Sequence, residues 1–215
     1  MVDLSKRIYD DEWMDDLSRP QEEFDRAYKE LTFLNRHLGG LRAVERFLRS
    51  DEGGLFLDVG AGGCDIGDAL GEEGHWMSVS MDLNAKGLHM AAGSAPVIAD
   101  AFEPPFRDES FDVVSASLLF HHLSNEDCVQ VLANMYRIAK RRIIVNDLHR
   151  HPMAYYSILL LTRLFSESPM VQNDGPLSVR RGFKRSELYS IARQAGISVE
   201  VYRSFPYRLV LVAEK

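Results

Sequence analysis

Asp58, Asp82 and Asp100 each close an apolar run, and a glycine-rich turn, Gly60-Ala61-Gly62-Gly63, separates the first two. An apolar strand that ends in an acid and feeds such a turn and then a helix is the form of a nucleotide or nucleoside site. Glycine serves there because backbone without a side chain takes positive φ and comes close to a ligand. In that arrangement Asp82, closing the second strand, would meet ribose hydroxyls. Histidines are the candidates for proton transfer, since imidazole titrates near neutrality and suits the proton of a phenol or acid. Two pairs follow apolar runs, His121 with His122 and His149 with His151. His122, His149 and His151 are therefore the candidate bases. His121 is expected to point away from the pocket if His122 points in, because neighbours in extended chain alternate sides.

The turn is a poor match for a phosphate. A pyrophosphate wants G-x-G-x-x-G at a helix N-terminus, but position 65 is Asp and position 58 is acidic as well. There is no G-x-x-x-x-G-K-[ST] for ATP or GTP. An uncharged or cationic ligand bearing a ribose fits better. Asp58-x-Gly60-x-Gly62 closely resembles the first motif of class I S-adenosylmethionine-dependent methyltransferases, with Cys64 in place of the usual third glycine. Pro96 to Phe106, with Asp100 ending a short apolar strand before a Pro-interrupted loop, and Phe111 to Leu123 as a buried fourth strand running into a loop, resemble later motifs of that family in the same order.

This resemblance implies the cofactor S-adenosyl-L-methionine, leaving as S-adenosyl-L-homocysteine, and a methyltransferase type 11-like enzyme. It implies that Gly60, Ala61 and Gly62 cradle the methionine part. Asp58, Asp82, Leu83 and Ser117 belong to the same cofactor site. Asp100 would bond the adenine amino group, with the amide of Ala101 beside it. Val145 to Pro152 and Asn35 to Gly40 are similar to small bacterial methyltransferases found beside type III polyketide synthases, which implies O-methylation of a phenolic or pyrone substrate. Methylation of carbon or nitrogen on a quinone, amine or other metabolite is the alternative. An RNA or protein methyltransferase is a weaker one, and a binding module without catalysis is disfavoured by the three acids.

No metal is expected. Asn146-Asp147 invites comparison with magnesium-dependent catechol methyltransferases, but magnesium needs octahedral oxygen ligands and no further acid ends the fourth strand. Asp147 is read instead as the carboxylate that orients His149. Arg180, Arg181, Lys184 and Arg185 form a basic run, read as solvated surface or as a contact for an anionic substrate. Cys64 and Cys128 have neither disulfide nor zinc spacing. Phe102, Phe106, Phe120, Tyr155, Tyr156, Phe165 and Phe183 lie where loops could meet a hydrophobic small-molecule substrate.

The elements that must position these groups alternate strand and helix. That pattern implies an α/β fold, a doubly wound, mostly parallel seven-stranded sheet with an antiparallel last strand, Rossmann-like. Strands are expected near 55–59, 77–82, 96–99, 112–117 and 142–147, with an antiparallel pair near 198–204 and 207–213 turning at Phe205-Pro206. Helices are expected near 64–73, 84–93, 125–139, 153–165 and 185–195, the last capped by Gly196. One domain, 1–215, is expected, with a core at 51–215. Residues 1–50 would form a helical cover over the cofactor, helical over Gln21 to Leu34 and Leu41 to Leu48, with Trp13 and Met14 as candidate plugs. Residues 150–184 would roof the substrate, with an apolar helix face of Tyr155, Leu159, Leu160 and Leu164 and a turn at Asn173-Asp174-Gly175-Pro176.

A chain of 215 residues with a net charge of −7 suits one globular unit and disfavours nucleic acid as partner. Met1 to Lys6 lack an apolar signal core and no apolar run is long enough to span a bilayer, so a cytoplasmic protein, monomer or homodimer, is expected.

Overall fold

The computed structural model describes residues 2–49 and 51–215; Met1 and Ser50, which the expected cover includes, lie outside the described residues. Seven strands form one sheet: β1 Gly54–Val59, β2 Trp76–Asp82, β3 Ala95–Ile98, β4 Phe111–Ser117, β5 Ala139–Leu148, β6 Glu200–Ser204 and β7 Arg208–Glu214. Their order is β3-β2-β1-β4-β5-β7-β6, and β7 runs antiparallel to both its neighbours while the rest are parallel. The order reverses between β1 and β4. Their carboxyl ends therefore open the crevice where ligands of doubly wound sheets bind.

The sheet is covered on both faces because its strands alternate sides. Leu57, Val114, Ile143, Val145, Leu209 and Leu211 join one core with α5 (Asn125–Ile138) and α8 (Arg185–Gln194). Phe56, Val113, Ile144, Val210 and Val212 join the other with α2 (Gly40–Glu45) and α3 (Asp65–Glu72). Each fully buried side chain of this size contributes about 1.5–3 kcal/mol of transfer free energy. Local signals start the helices: the Ser124 hydroxyl accepts the Asp127 N–H before α5, and Gly196 follows α8 with φ +72°.

Four further α-helices lie among the described residues: α1 (Gln21–His37), α4 (Ala85–Leu88), α6 (Pro152–Phe165) and α7 (Pro169–Arg181). Two expectations need correction. The helix expected over 84–93 is a single turn, α4, because the chain beyond it turns to satisfy a buried acid: Asp68 accepts the N–H groups of Ala92 and Gly93 and the Ser94 hydroxyl. The turn expected at 173–176 lies inside α7, which the Ser168 cap and Pro169 begin and which passes through Pro176 without ending. Asp174 is there to bond the N-terminal segment. Phe24, Ala27 and Tyr28 of α1 pack against Met170 and Val171 of α7, so cover and roof share a small core above the sheet edge.

Candidate active site

A cavity of about 690 Å³ opens at the carboxyl ends of β1, β2 and β4 under α1, α6 and α7. Gly60, Ala61, Gly62, Asp82, Leu83 and Ser117 line it. Gly60 has φ +69°, and a Cβ there would meet Leu119 at 2.7 Å, so the turn needs glycine at this point. Cys64, at the position of the missing glycine, adopts φ 64° all the same and keeps the left-handed turn. Asp82 ties the turn to the second strand: Oδ2 accepts the Gly62 N–H at 2.8 Å and Oδ1 the Asn84 N–H at 2.7 Å. Burial raises its pKa against those two bonds. Each carboxylate oxygen retains a lone pair for a diol. Leu83, next along the chain, is an exposed apolar side chain at the cavity.

Three of the residues selected for the cofactor site sit off the cavity. Asp58 is buried beneath the turn, where the Ser115 hydroxyl donates to it at 2.7 Å and burial pushes its carboxyl up to about 8. Asp100 and Ala101 lie at the same sheet edge outside the cavity lining, with Asp100 accepting the Phe102 N–H. The chemistry of the lining nonetheless fits a ribosyl sulfonium: a carboxylate for the diol, a bare backbone turn, and five acids against one arginine, Arg208, where a phosphate would need cations.

On the opposite wall the structure assembles a group no spacing could reveal. His121 and His122 occupy a 3-10 turn, Phe120–His122, and both line the cavity, together with Glu12 from the N-terminal segment. A tight turn does not alternate sides, so the expectation that His121 points away fails. His121 Nδ1 lies 2.9 Å from Asp147 Oδ1, and His122 Nδ1 lies 2.8 Å from Asp15 Oδ1. Burial opposes ionisation of both acids, yet His121 holds Asp147 below the usual carboxylate range, and His122 does the same for Asp15. An ionised carboxylate only accepts, which assigns the imidazole protons to Nδ1. Both Nε2 atoms then face Glu12, each 3.8 Å from one of its oxygens. Glu12 is 4% exposed, and burial pushes it up to about 7 against His122 and Arg181.

Asp147 therefore positions His121, not His149. His149 forms a bridge to Phe183, outside the cavity, where burial and His151 lower its pKa. His151 caps α6 by accepting the Met153 N–H and stacks on Tyr207. Neither His149 nor His151 reaches the lining.

The N-terminal segment is fastened across the wall. Arg7 donates to the carbonyls of Arg181 and Leu123 and lies over the Phe183 ring. Asp174 of α7 accepts the N–H groups of Trp13 and Met14 at 2.8 and 3.0 Å. Arg181, read from sequence as part of a solvated basic run, is 4% exposed and bonds Asp15 and the carbonyls of His121 and His122. Met14 lines the cavity; Trp13 instead lies outside under Arg19. None of the expected substrate aromatics lines it: Phe120 and Phe183 are core, while Tyr156 and Phe165 are exposed. Tyr28, Phe205 and Tyr207 do so instead. The roof helix turns Ala154, Ile158 and Leu161 to the cavity, leaving Leu160 and Leu164 exposed. No set of helix spacings in the sequence separates these two faces, since α6 is apolar nearly all round.

Residues 57–144 match the family described as "Methyltransferase domain". The chain is 29% identical over 172 residues, 70% of each protein, to the demethylmenaquinone methyltransferase of Roseiflexus castenholzii. Its fold is similar to a SAM-dependent methyltransferase from Aquifex aeolicus, with a TM-score of 0.66 at 16% identity, covering 91% of this chain and 98% of the other. It is also similar to the magnesium protoporphyrin IX methyltransferase from Synechocystis with bound S-adenosylhomocysteine, with a TM-score of 0.59 at 16% identity, covering 83% of each. Residues 57–144 thus match a methyltransferase domain, and the sheet, with the glycine turn and Asp82 in place, has the fold of S-adenosylmethionine-dependent methyltransferases. No helix among the described residues is long and apolar enough to cross a membrane.

Proposed function

We propose that the chain methylates an oxygen of a hydrophobic small molecule of phenol or pyrone type, with His122 taking the acceptor's proton. The observation that carries this reading is His122 itself, held at Nδ1 by Asp15 at 2.8 Å and lining a cavity that Leu31, Leu34, Ile158, Leu161 and Val179 make apolar. A fixed imidazole facing an apolar pocket is suited to removing a phenolic or enolic proton as that oxygen becomes a nucleophile. When bound, S-adenosylmethionine supplies an electrophilic methyl group. The chain's own part is orientation. Asp82 accepts from the ribose diol, Leu83 packs on the base, Gly60, Ala61 and Gly62 admit the methionine part, and Ser117 adds a hydroxyl beside the turn. Asp100 and Ala101 are assigned to the adenine edge and Asp58 to supporting the turn from below.

In the same reading the chain works as one methyltransferase domain. Residues 1–50 cover the core, 51–215, and 150–184 roof the acceptor; the shared packing of α1 and α7 and the Asp174 bonds support it. Closing that roof excludes water and aligns donor and acceptor, which is where most of the rate of an in-line displacement is gained.

A second reading, carbon methylation of a quinone, is favoured by the likeness to a demethylmenaquinone methyltransferase. Incubation with methyl-labelled S-adenosylmethionine and parallel panels of phenols, pyrones and reduced naphthoquinones separates the two. A labelled methyl ether from the first two panels is expected; label on ring carbon of the third would replace that reading with the second.

A further inference from the structure

We propose that Glu12, His121 and His122 form a binding site for one divalent transition-metal ion on the cavity wall. One oxygen or nitrogen of each of the three lies within 4.8 Å of the others. At 3.8 Å the Nε2 to carboxylate separations are too long for hydrogen bonds, so these atoms converge without satisfying one another. Two atoms each about 2.1 Å from a zinc ion stand about 3.4 Å apart at the tetrahedral angle. The 3.8 Å separations run to different oxygens of Glu12, Oε1 for His121 and Oε2 for His122, and the three donor atoms stand within 4.8 Å of one another, so an ion would draw them together by up to about an ångström. Two imidazoles with one carboxylate suit zinc or iron(II) and not magnesium or calcium, which want oxygen.

The surroundings carry the inference further than the three ligands do. Each imidazole is held at its other nitrogen by a carboxylate, Asp147 at 2.9 Å for His121 and Asp15 at 2.8 Å for His122. This is the outer arrangement that fixes the tautomer and ring plane of metal-binding histidines. The wall also carries several carboxylates: Asp147 lies against His121, and Glu12 and Asp15 share the guanidinium of Arg181. A dication there would add to the compensation that Arg181 gives Glu12 and Asp15. The sequence expectation of no metal followed from looking only at the ends of the fourth and fifth strands; Glu12 reaches the site from the N-terminal segment.

Three protein ligands leave a coordination position open, and all three residues line the cavity. An acceptor oxygen in that position loses its proton more easily than a free one. With Nε2 of His122 on the ion, the released proton would pass to solvent water, so the ion would replace His122 as the activating group. This last step rests on the O-methylation reading above; the binding of the ion does not.

The test uses the full chain stripped of metal, titrated with cobalt(II) while following visible absorption, and with zinc(II) by calorimetry. One equivalent is expected, giving the bands of a four- or five-coordinate nitrogen and oxygen site. Glu12→Gln and His122→Ala are expected to abolish that equivalent, and Asp15→Asn to weaken it about 10–100-fold. His89→Ala, at the surface pair with Asp25, should leave it unchanged. Binding of S-adenosylmethionine is measured on every variant, so that loss of metal with donor binding intact supports the site. No uptake by the parent chain, or undiminished uptake by Glu12→Gln and His122→Ala, would overturn it. A chain that takes one equivalent yet methylates no phenol or pyrone would overturn the acceptor assignment and leave the metal site standing.

Discussion

His122 and Asp58 show how one residue's surroundings decide its work. His122→Ala should lower turnover by about 10²–10⁴-fold, the range for a lost acid or base. Calorimetry should find its affinity for S-adenosylmethionine within a few-fold of the parent. His149→Ala and His151→Ala should keep near-parental turnover, because neither lines the cavity. Comparable losses in turnover from all three would remove His122 from the role given to it. Asp58 titrates in the opposite sense to a paired surface acid. Burial raises its carboxyl from 3.8 to about 8 in the fold, so the folded state holds a proton that the unfolded state has lost. Its contribution to stability is therefore complete below the unfolded value and is lost as pH rises through about 8. Asp58→Asn, neutral at every pH and able to accept from Ser115, should flatten the fall in Tm between pH 5 and 9. An unchanged slope in thermal melts would refute this assignment.

At the scale of elements, α7 and the N-terminal segment carry the lesson. Asn173 to Pro176 reads as a turn by local propensity, yet α7 begins at Pro169 behind the Ser168 cap and runs through it. Tertiary contacts chose the helix: Asp174 satisfies two backbone donors of the N-terminal segment, and Gly175 lies close against Thr162 of α6. Asp174→Ala would leave those donors without partners. The expected result is faster hydrogen exchange over residues 10–17, a local loss of about 1.5–3 kcal/mol and a raised KM for the acceptor, since the segment bears Glu12 and Met14. Protection unaltered by the substitution would show that Arg7 and Arg181 suffice to hold the segment. Gly60→Ala is a second element-level case. With φ +69° and Leu119 at 2.7 Å from the new Cβ, it should cost roughly 1–3 kcal/mol and weaken donor binding, read by melts and calorimetry. The five core strands, the hairpin and the main helices were legible because period-2 and period-3.6 patterns are local. The length of α4 was not, because Asp68 sets it from another helix.

Across the whole molecule, stability rests on two apolar layers pressed against one sheet. Phe56 and Ile144 hold the α2 and α3 side, Leu57 and Val145 the α5 and α8 side. Phe56→Ala, at a fully buried position against Trp76, should cost about 3–5 kcal/mol in denaturant unfolding. A cost below 1 kcal/mol would mean that the α2–α3 layer collapses to refill the space. The sequence by itself determined the alternation of strands and helices and the glycine turn with Asp82 beyond it, because Asp58, the turn and Asp82 lie within one strand-turn-helix-strand unit whose geometry is local. Only the tertiary structure decided the acceptor side. Glu12, Asp15, His121, His122, Asp147 and Arg181 come from four separate stretches of chain and meet through packing of the cover and roof against the sheet edge. No spacing encodes such a meeting, which is why His149 looked as good a base as His122 until the fold put one on the wall and the other behind it.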